Sequence, residues 1–136
     1  MKAIYSFLIL VLISVSLKAQ TSVAPCDKLV AEPDTMPTYE GGENGLFEYI
    51  GERIVPVVSD CMKNEKAIIT SVYITLTINK AGQVVSVDFP RLKASDTCKT
   101  KLRTELMRMK GWSPARYKGK PVCSQYLLPI PCMLWK

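Results

Sequence analysis

The chain of 136 residues contains no histidine. Histidine is the commonest general base in enzymes and the commonest protein ligand of zinc, so the usual hydrolase triad and most zinc sites are excluded. No C-x-x-C pair is present, which argues against a thioredoxin-type redox site or a zinc knuckle. Gly41-Gly42 lacks the Gly-Lys-Ser/Thr continuation of a phosphate loop. We therefore expect no catalytic activity, no metal and no cofactor; the alternative is an enzyme of unrecognised type that uses paired carboxylates.

The first 20 residues have the pattern of a signal peptide. Lys2 gives a positive start, Ile4 to Leu17 form an apolar run, and small residues near Ala19 form a cleavage region. The run is shorter than the roughly 20 residues that span a bilayer, so an uncleaved anchor is the alternative reading. We expect an exported protein whose formal charge falls from +6 to +4 on cleavage, because Lys2 and Lys18 are lost.

The basic residues are spread along the chain, with a concentration between Lys99 and Lys120. A solvated face explains them, although anionic lipid, peptidoglycan or an acidic partner would also suit this charge. No array of basic and aromatic residues indicates nucleic-acid binding. We expect no nucleic-acid partner, and contact with a membrane only through proximity.

Five cysteines in an exported chain predict disulfides and leave at least one thiol unpaired. Cys61 precedes the first predicted strand and Cys98 follows the second, so the two ends of a hairpin would bring them together. A bridge between Cys26 and Cys123 is a weaker prediction. Cys132 is expected to be a buried free thiol, with intermolecular pairing as its alternative role.

Residues 21–38 are predicted to be an extended lead-in interrupted by prolines, followed by one domain over residues 39–136. A helix is expected from Glu43 to Ile54, with its apolar face listed as Leu46, Phe47, Ile50 and Ile54. Pro56 is expected to end it. A polar loop over residues 59–66 then leads to a strand from Ala67 to Ile78 that alternates apolar and polar residues.

The chain is then expected to reverse at residues 79–82 and to return as a strand from Val84 to Phe89. A second helix begins after Ser95 or Asp96 and is closed by Gly111. A third strand extends from Pro121 to Trp135. The predicted class is α+β, with element order α-β-β-α-β: a three-stranded antiparallel sheet with two helices packed on one face.

An ordered set of motifs accompanies this pattern. They are Pro37 to Gly42, Val55-Pro56, Asn79 to Gly82, Trp112 to Ala115, Gly119 to Val122 and Pro129-Ile130. Together they resemble the C-terminal domain of TonB, the energy transducer of Gram-negative envelopes, over about residues 35–135. The positions that carry the resemblance are Gly41, Gly42, Pro56, Gly82, Trp112, Pro114, Gly119, Pro121 and Pro129. Trp112 and Tyr39 are expected to pack against the core, with ligand contact as the alternative for Trp112.

The last strand carries the functional prediction. Successive backbone N–H groups of a strand point to opposite sides, and proline has none. Pro121, Pro129 and Pro131 are all odd-numbered, so every missing donor falls on one side. That side is expected to be the outer edge of the sheet, with donors left at Cys123, Gln125 and Leu127. The predicted partner-binding window is Val122, Cys123, Ser124, Gln125, Tyr126, Leu127 and Leu128.

The resemblance implies that an extended segment of an envelope protein, such as an outer-membrane transporter, adds to this edge as a strand. A periplasmic or outer-envelope location follows from it. Self-association, by edge exchange or through the spare cysteine, is the first alternative. A full TonB-type transducer with a retained anchor is the second, but residues 21–36 could span only about 50–55 Å when stretched. We therefore expect a stand-alone binding domain.

Overall fold

The computed structural model of this chain describes residues 23–63 and 71–131. The elements follow the chain in this order: β1 (Thr38–Tyr39), α1 (Gly42–Tyr49), a π-helical segment (Ile50–Ile54), α2 (Val55–Met62), β2 (Ser71–Ile78), β3 (Val84–Asp88), α3 (Asp96–Met107), β4 (Trp112–Ser113), β5 (Ala115–Tyr117), β6 (Lys120–Val122) and β7 (Ser124–Pro131). The predicted α+β class with antiparallel strands and two helical regions is confirmed. The predicted signal peptide, Cys132 and Trp135 lie outside the described residues.

The main sheet has three strands in the order β3-β2-β7. β2 pairs with β3 on one side and with β7 on the other, both antiparallel. The other strands form two separate two-stranded sheets: β1 pairs with β4, and β5 pairs with β6. The predicted third strand is therefore divided at Cys123 into β6, which belongs to a hairpin, and β7, which belongs to the sheet.

One apolar core fills the space between the sheet and the helices. Its strand residues alternate along β2, where Val72, Ile74, Leu76 and Ile78 are buried. The helices contribute Ile50, Ile54, Val58, Leu102 and Leu106, all fully buried. The opposite face of the sheet has no helix on it, and Tyr73 and Leu127 are exposed there by 38% and 56%.

The prediction that Pro56 ends the first helix was wrong. The helical region continues without a break from Gly42 to Met62, so Cys61 lies in α2 and not in a loop. Proline lacks an N–H and its ring collides with the carbonyl four residues earlier. Here the chain widens into a π turn just before it, where the Val55 N–H bonds to the Ile50 carbonyl. Pro56 then occupies the first turn of α2, a position that proline tolerates.

Local side-chain bonds define the other boundaries. In the β2–β3 turn, the Asn79 carboxamide oxygen accepts from the N–H groups of Ala81 and Gln83. At the start of α3, the Ser95 hydroxyl accepts from the Cys98 N–H over 3.2 Å, as expected of an N-cap residue. α3 ends at Met107, four residues before Gly111. No helix in residues 23–63 and 71–131 is long and apolar enough to cross a membrane.

Two disulfides connect distant parts of the fold. Cys61–Cys98 joins α2 to α3. Cys26–Cys123 joins the lead-in to the residue between β6 and β7. The weaker of the two sequence predictions is therefore also realised.

The lead-in follows the body of the protein over much of its length. Val30 donates its N–H to the Cys123 carbonyl over 2.9 Å. Thr35 and Arg116 exchange two backbone hydrogen bonds, and the Lys118 N–H bonds to the Asp34 carboxylate over 2.7 Å. The isolated antiparallel bridge between Thr35 and Arg116 thus has the same register as the β1–β4 pair, in which Thr38 lies opposite Ser113.

Candidate functional site

β7 is an edge strand in the part of the chain that the structure describes. It pairs with β2 residue by residue, from Ser71 opposite Pro131 to Ile78 opposite Ser124. Residues of an antiparallel strand alternate between those that bond to the neighbour and those that point their N–H and C=O away from it. Pro129 cannot donate, so we infer that the even-numbered residues of β7 bond to β2 and that the odd-numbered residues point outward.

The lead-in supports this assignment and shortens the predicted window. The Cys123 carbonyl points outward, because it accepts from Val30, which lies outside the sheet. The prediction had left Cys123 open, and the reason for the difference is the disulfide to Cys26, which brings the lead-in alongside. The open outward groups of β7 are the backbone N–H and C=O of Gln125 and Leu127. No hydrogen bond from the described residues reaches them.

A groove lies between β7 and α1, and we call it the β7–α1 groove. Its wider part has a volume of about 360 Å³, and Phe47, Leu128 and Pro129 belong to its walls. A narrower part of about 210 Å³ continues toward Pro37 and Tyr39. Glu43, Leu46 and Tyr126 line both parts; the wider part is also lined by Phe47, Ser71, Leu128 and Pro129, and the narrower part by Pro37, Thr38, Tyr39 and Gly42. Glu43 is the one charged side chain among these lining residues.

Two residues of the groove, Phe47 and Tyr126, differ in how far the fold buries their side chains. Phe47 is 48% exposed, although helical spacing had predicted it on the core face with Leu46. Leu46, Ile50 and Ile54 alone form that face, because Phe47 is rotated by about 100° from Leu46 around the helix. Tyr126 is an even-numbered residue of β7, so its ring lies on the helix side of the sheet and is half-buried.

A row of aromatic rings supports the narrow part of the groove. The Trp112 ring centre lies 5.2 Å from that of Tyr39 and 5.0 Å from that of Tyr126. Trp112 is buried, and its Nε1 has no hydrogen-bond partner in the described residues. It packs beneath the groove and does not line it. Burial raises the pKa of the Tyr39 phenol, and the neighbouring Glu40 carboxylate raises it further.

Tyr49 fixes α1 beside the groove. Its hydroxyl donates to the Glu105 carbonyl of α3 over 3.0 Å, and its ring centre lies 6.1 Å from that of Tyr39. Burial raises the pKa of Tyr49 above its usual value of 10.0, and the Glu105 carboxylate adds to the increase. The groove wall is therefore tied to the second helical region by a neutral phenol.

The predicted window is divided among different environments. Val122 lies in β6 opposite Ala115, and Cys123 is buried at the disulfide. Ser124 is buried with its hydroxyl unpaired within the described chain, and Leu128 is buried in the core. Gln125 and Leu127 are exposed on the face without helices, where Gln125 shares a cavity with Pro25, Cys26 and Leu29 of the lead-in. Only the middle of the window combines open backbone groups with a neighbouring groove.

Sequence reasoning missed the α1 wall of the site, namely Glu43, Leu46 and Phe47. No local signal connects α1 with β7, which follows it by about 80 residues, and only the fold brings them together.

The motif residues hold turns around the site. Gly41 and Gly42 lead into α1, and Gly119 and Pro121 form the β5–β6 hairpin. Gly82 permits the closest contact: a Cβ there would lie 2.1 Å from the Trp112 carbonyl oxygen, with Pro114 also adjacent. The β2–β3 turn can therefore pack on β4 only when position 82 has no side chain.

Within residues 23–63 and 71–131, no group of three or more cysteine, aspartate or glutamate side chains is arranged to hold a metal ion. Comparisons of the chain with protein-family models, curated proteins and solved structures found no match.

Proposed function

We propose that this protein is an exported envelope module, similar to the C-terminal domain of TonB, that binds an extended segment of a partner protein by strand addition. The segment would pair with β7 at Gln125 and Leu127. The motif resemblance favours an envelope protein as partner, including an outer-membrane transporter segment. The role is binding, without catalysis, metal or cofactor.

The observation that carries the proposal is an open stretch of sheet edge beside an apolar groove. A strand added to β7 would lie about 4.8 Å from it, and its alternate side chains would point to the helix side of the sheet. The β7–α1 groove lies on that side. An incoming segment would thus gain backbone hydrogen bonds and apolar burial together, which is how strand addition combines affinity with specificity.

The groove also indicates the composition of the segment. Inward side chains of a strand recur every second residue, so two apolar residues separated by one position would contact Tyr126 and Leu128 in turn. Glu43 would favour a basic group near the narrow end. Pro129 limits the paired stretch, because it offers no donor beyond Leu127.

The test places a photoreactive phenylalanine analogue at Leu127 and exposes the full chain to envelope extract. We expect a site-specific crosslink to a defined peptide, identified by mass spectrometry. A matched probe at Lys101, on the exposed side of α3, should give no such product. The crosslinked peptide is then synthesised and its affinity for the unlabelled protein is measured.

Gln125→Pro with Gln125→Ala as control tests the backbone contact. Proline removes the outward N–H while alanine keeps it, so we expect affinity to fall at least about tenfold for proline and to change little for alanine. The fold should tolerate the change, because Pro129 already occupies an equivalent outward position in β7. Equal affinity in the two variants would rule out docking at this edge.

Self-association is the second candidate, favoured by the same open edge. Two copies of β7 could pair antiparallel around Gln125 and Leu127, with the exposed Leu127 side chains beside each other. Light scattering with and without reductant separates this function from peptide binding. A stable dimer abolished by Gln125→Pro would support it, and a monomer at all concentrations would exclude it.

We propose the periplasm or outer envelope as the location, since the two disulfides are typical of an oxidising compartment. The alternative, a full transducer, requires the N-terminal segment to be retained in the inner membrane. Fractionation followed by N-terminal sequencing decides between them: a mature chain beginning near residue 21 agrees with a detached module.

A further inference from the structure

The lead-in occupies one end of the edge that we propose as the docking site. Val30 bonds to the Cys123 carbonyl, and Leu29 forms a parallel bridge with Cys123. Cys123 is the outward residue next to Gln125 in the alternation of β7. The protein's own chain therefore competes with any partner strand for this position.

Few hydrogen bonds hold this part of the lead-in. Among the residues that the structure describes, those between residues 24 and 30 are the bond of Val30 to Cys123 and that of the Asn79 carboxamide to the Ala24 carbonyl. Most side chains in this stretch are exposed, Leu29 by 47%. Ordering one residue costs about as much free energy as one net hydrogen bond contributes, so two bonds do not order seven residues.

The other disulfide differs in this respect. Cys61–Cys98 joins α2 and α3, whose apolar side chains Val58 and Leu102 are fully buried in the core. Its loss would leave the two helices packed. The loss of Cys26–Cys123 would leave the lead-in fixed only from Asp34 onward, where three hydrogen bonds attach Asp34 and Thr35 to the β5–β6 hairpin.

We infer that residues 24–30 form a redox-controlled lid on the β7 edge, held shut by Cys26–Cys123. A dithiol reductant would open it. One of its thiolates attacks the sulfur of Cys26, which is the more exposed of the two residues, and the Cys123 sulfur leaves and takes up a proton. The second thiol of the reductant then releases Cys26 as a thiol and becomes part of the reductant's own disulfide. Two electrons and two protons pass to the protein.

Opening the lid lengthens the docking edge. In the oxidised protein a partner strand can pair with Gln125 and Leu127. In the reduced protein Cys123 becomes available as a third outward residue, and the paired stretch extends by two positions. This inference rests on the proposed function, because it concerns regulation of the same edge.

The first measurement needs no partner. Amide hydrogen exchange of Val30 is followed by NMR in the full chain, in Cys26→Ser/Cys123→Ser and in the matched control Cys61→Ser/Cys98→Ser. We expect exchange at Val30 to be at least about tenfold faster without Cys26–Cys123 and nearly unchanged in the control. Wild-type protein treated with dithiothreitol, which reduces both disulfides, gives a second comparison without substitutions, in which the core amide of Leu76 reports any general loosening of the fold. Unchanged exchange at Val30 would overturn the lid.

The second measurement is the crosslinking yield from Leu127 in envelope extract, with the same pair of disulfide variants. We expect the yield to rise about threefold or more when Cys26–Cys123 is absent and to remain constant when Cys61–Cys98 is absent. An equal yield in both would leave the docking function standing and overturn its regulation. No crosslink in any variant would overturn the docking function, and the regulation with it.

Discussion

The two edge strands of the three-stranded sheet differ in how far they are protected from pairing with another strand. β3 forms one edge: it has five residues, and its pairing with β2 shifts register between Thr77 and Ile78. Arg103 of α3 donates a long hydrogen bond of 3.4 Å to its Val87 carbonyl. β7 forms the other edge with eight residues in unbroken register, and in the described chain its outward groups at Gln125 and Leu127 are uncovered.

The difference shows how one sheet can be protected and still receive a strand. Short length, a bulge and a covering side chain are common ways to prevent unwanted pairing at an edge. β3 uses all three. β7 instead has prolines at positions 129 and 131 and the lead-in at Cys123, so that pairing is confined to a short stretch beside the groove. The short length of the stretch that can pair, together with the groove beside it, would make β7 selective for certain partner segments.

The largest effect is expected where the β2–β3 turn holds the closed edge against the rest of the fold. Gly82→Ala should lower the free energy of unfolding by about 3 kcal/mol, because a left-handed backbone and a collision with the Trp112 carbonyl act together. Gly119→Ala, with a similar φ of 76° but nothing within 4 Å of the added Cβ, should cost only about 1 kcal/mol. Urea unfolding of both variants measures the difference. Equal losses would mean that the turn does not depend on this close contact.

A smaller effect on the free energy of unfolding is expected when the side chain that covers β3 is removed. Arg103→Ala removes the bond to Val87 and the guanidinium that lies 5.5 Å from the centre of the Phe89 ring. We expect a loss of about 1 kcal/mol in unfolding free energy, and less for Arg103→Lys, which keeps the charge over the ring. Urea titration again provides the measurement. If Arg103→Ala is as stable as the wild type, the closed edge is closed by its bulge and length alone.

The prolines, together with the alternation of backbone groups along a strand, allowed us to predict which side of β7 faces outward. Each missing backbone N–H follows from the identity of a single residue. The lead-in could not be predicted in this way. Its residues show no periodicity, and the bond from Cys26 to Cys123 spans 97 residues, one of many pairings that five cysteines permit. Pro56 failed as a helix stop because the chain can widen into a π turn, which no residue pattern announced. Phe47 was misplaced since helical spacing alone does not set the width of a buried face.

The smallest effect concerns the link between the helices that serve the two edges, α1 beside β7 and α3 beside β3. Tyr49→Phe removes the bond to the Glu105 carbonyl and should cost about 0.5 kcal/mol at pH 7. The pKa of Tyr49 is raised in the folded protein, so its contribution is complete below pH 10.0 and is lost as the pH rises through the folded-state pKa. The free energy of unfolding should therefore decrease more between pH 8 and pH 11 for the wild type than for the variant. An equal decrease in the two proteins would contradict a raised pKa of Tyr49 in the folded state.

Amide hydrogen exchange along β7 tests the open edge most directly, in the oxidised full chain and without any partner. We expect the amides of Gln125 and Leu127 to exchange at least about 100-fold faster than those of Tyr126 and Leu128, which bond to β2. Strong protection that alternates in this way along one strand requires one paired side and one open side. Equal protection at all four amides would mean that the outer side of β7 is already bonded, and strand addition at this edge would be excluded.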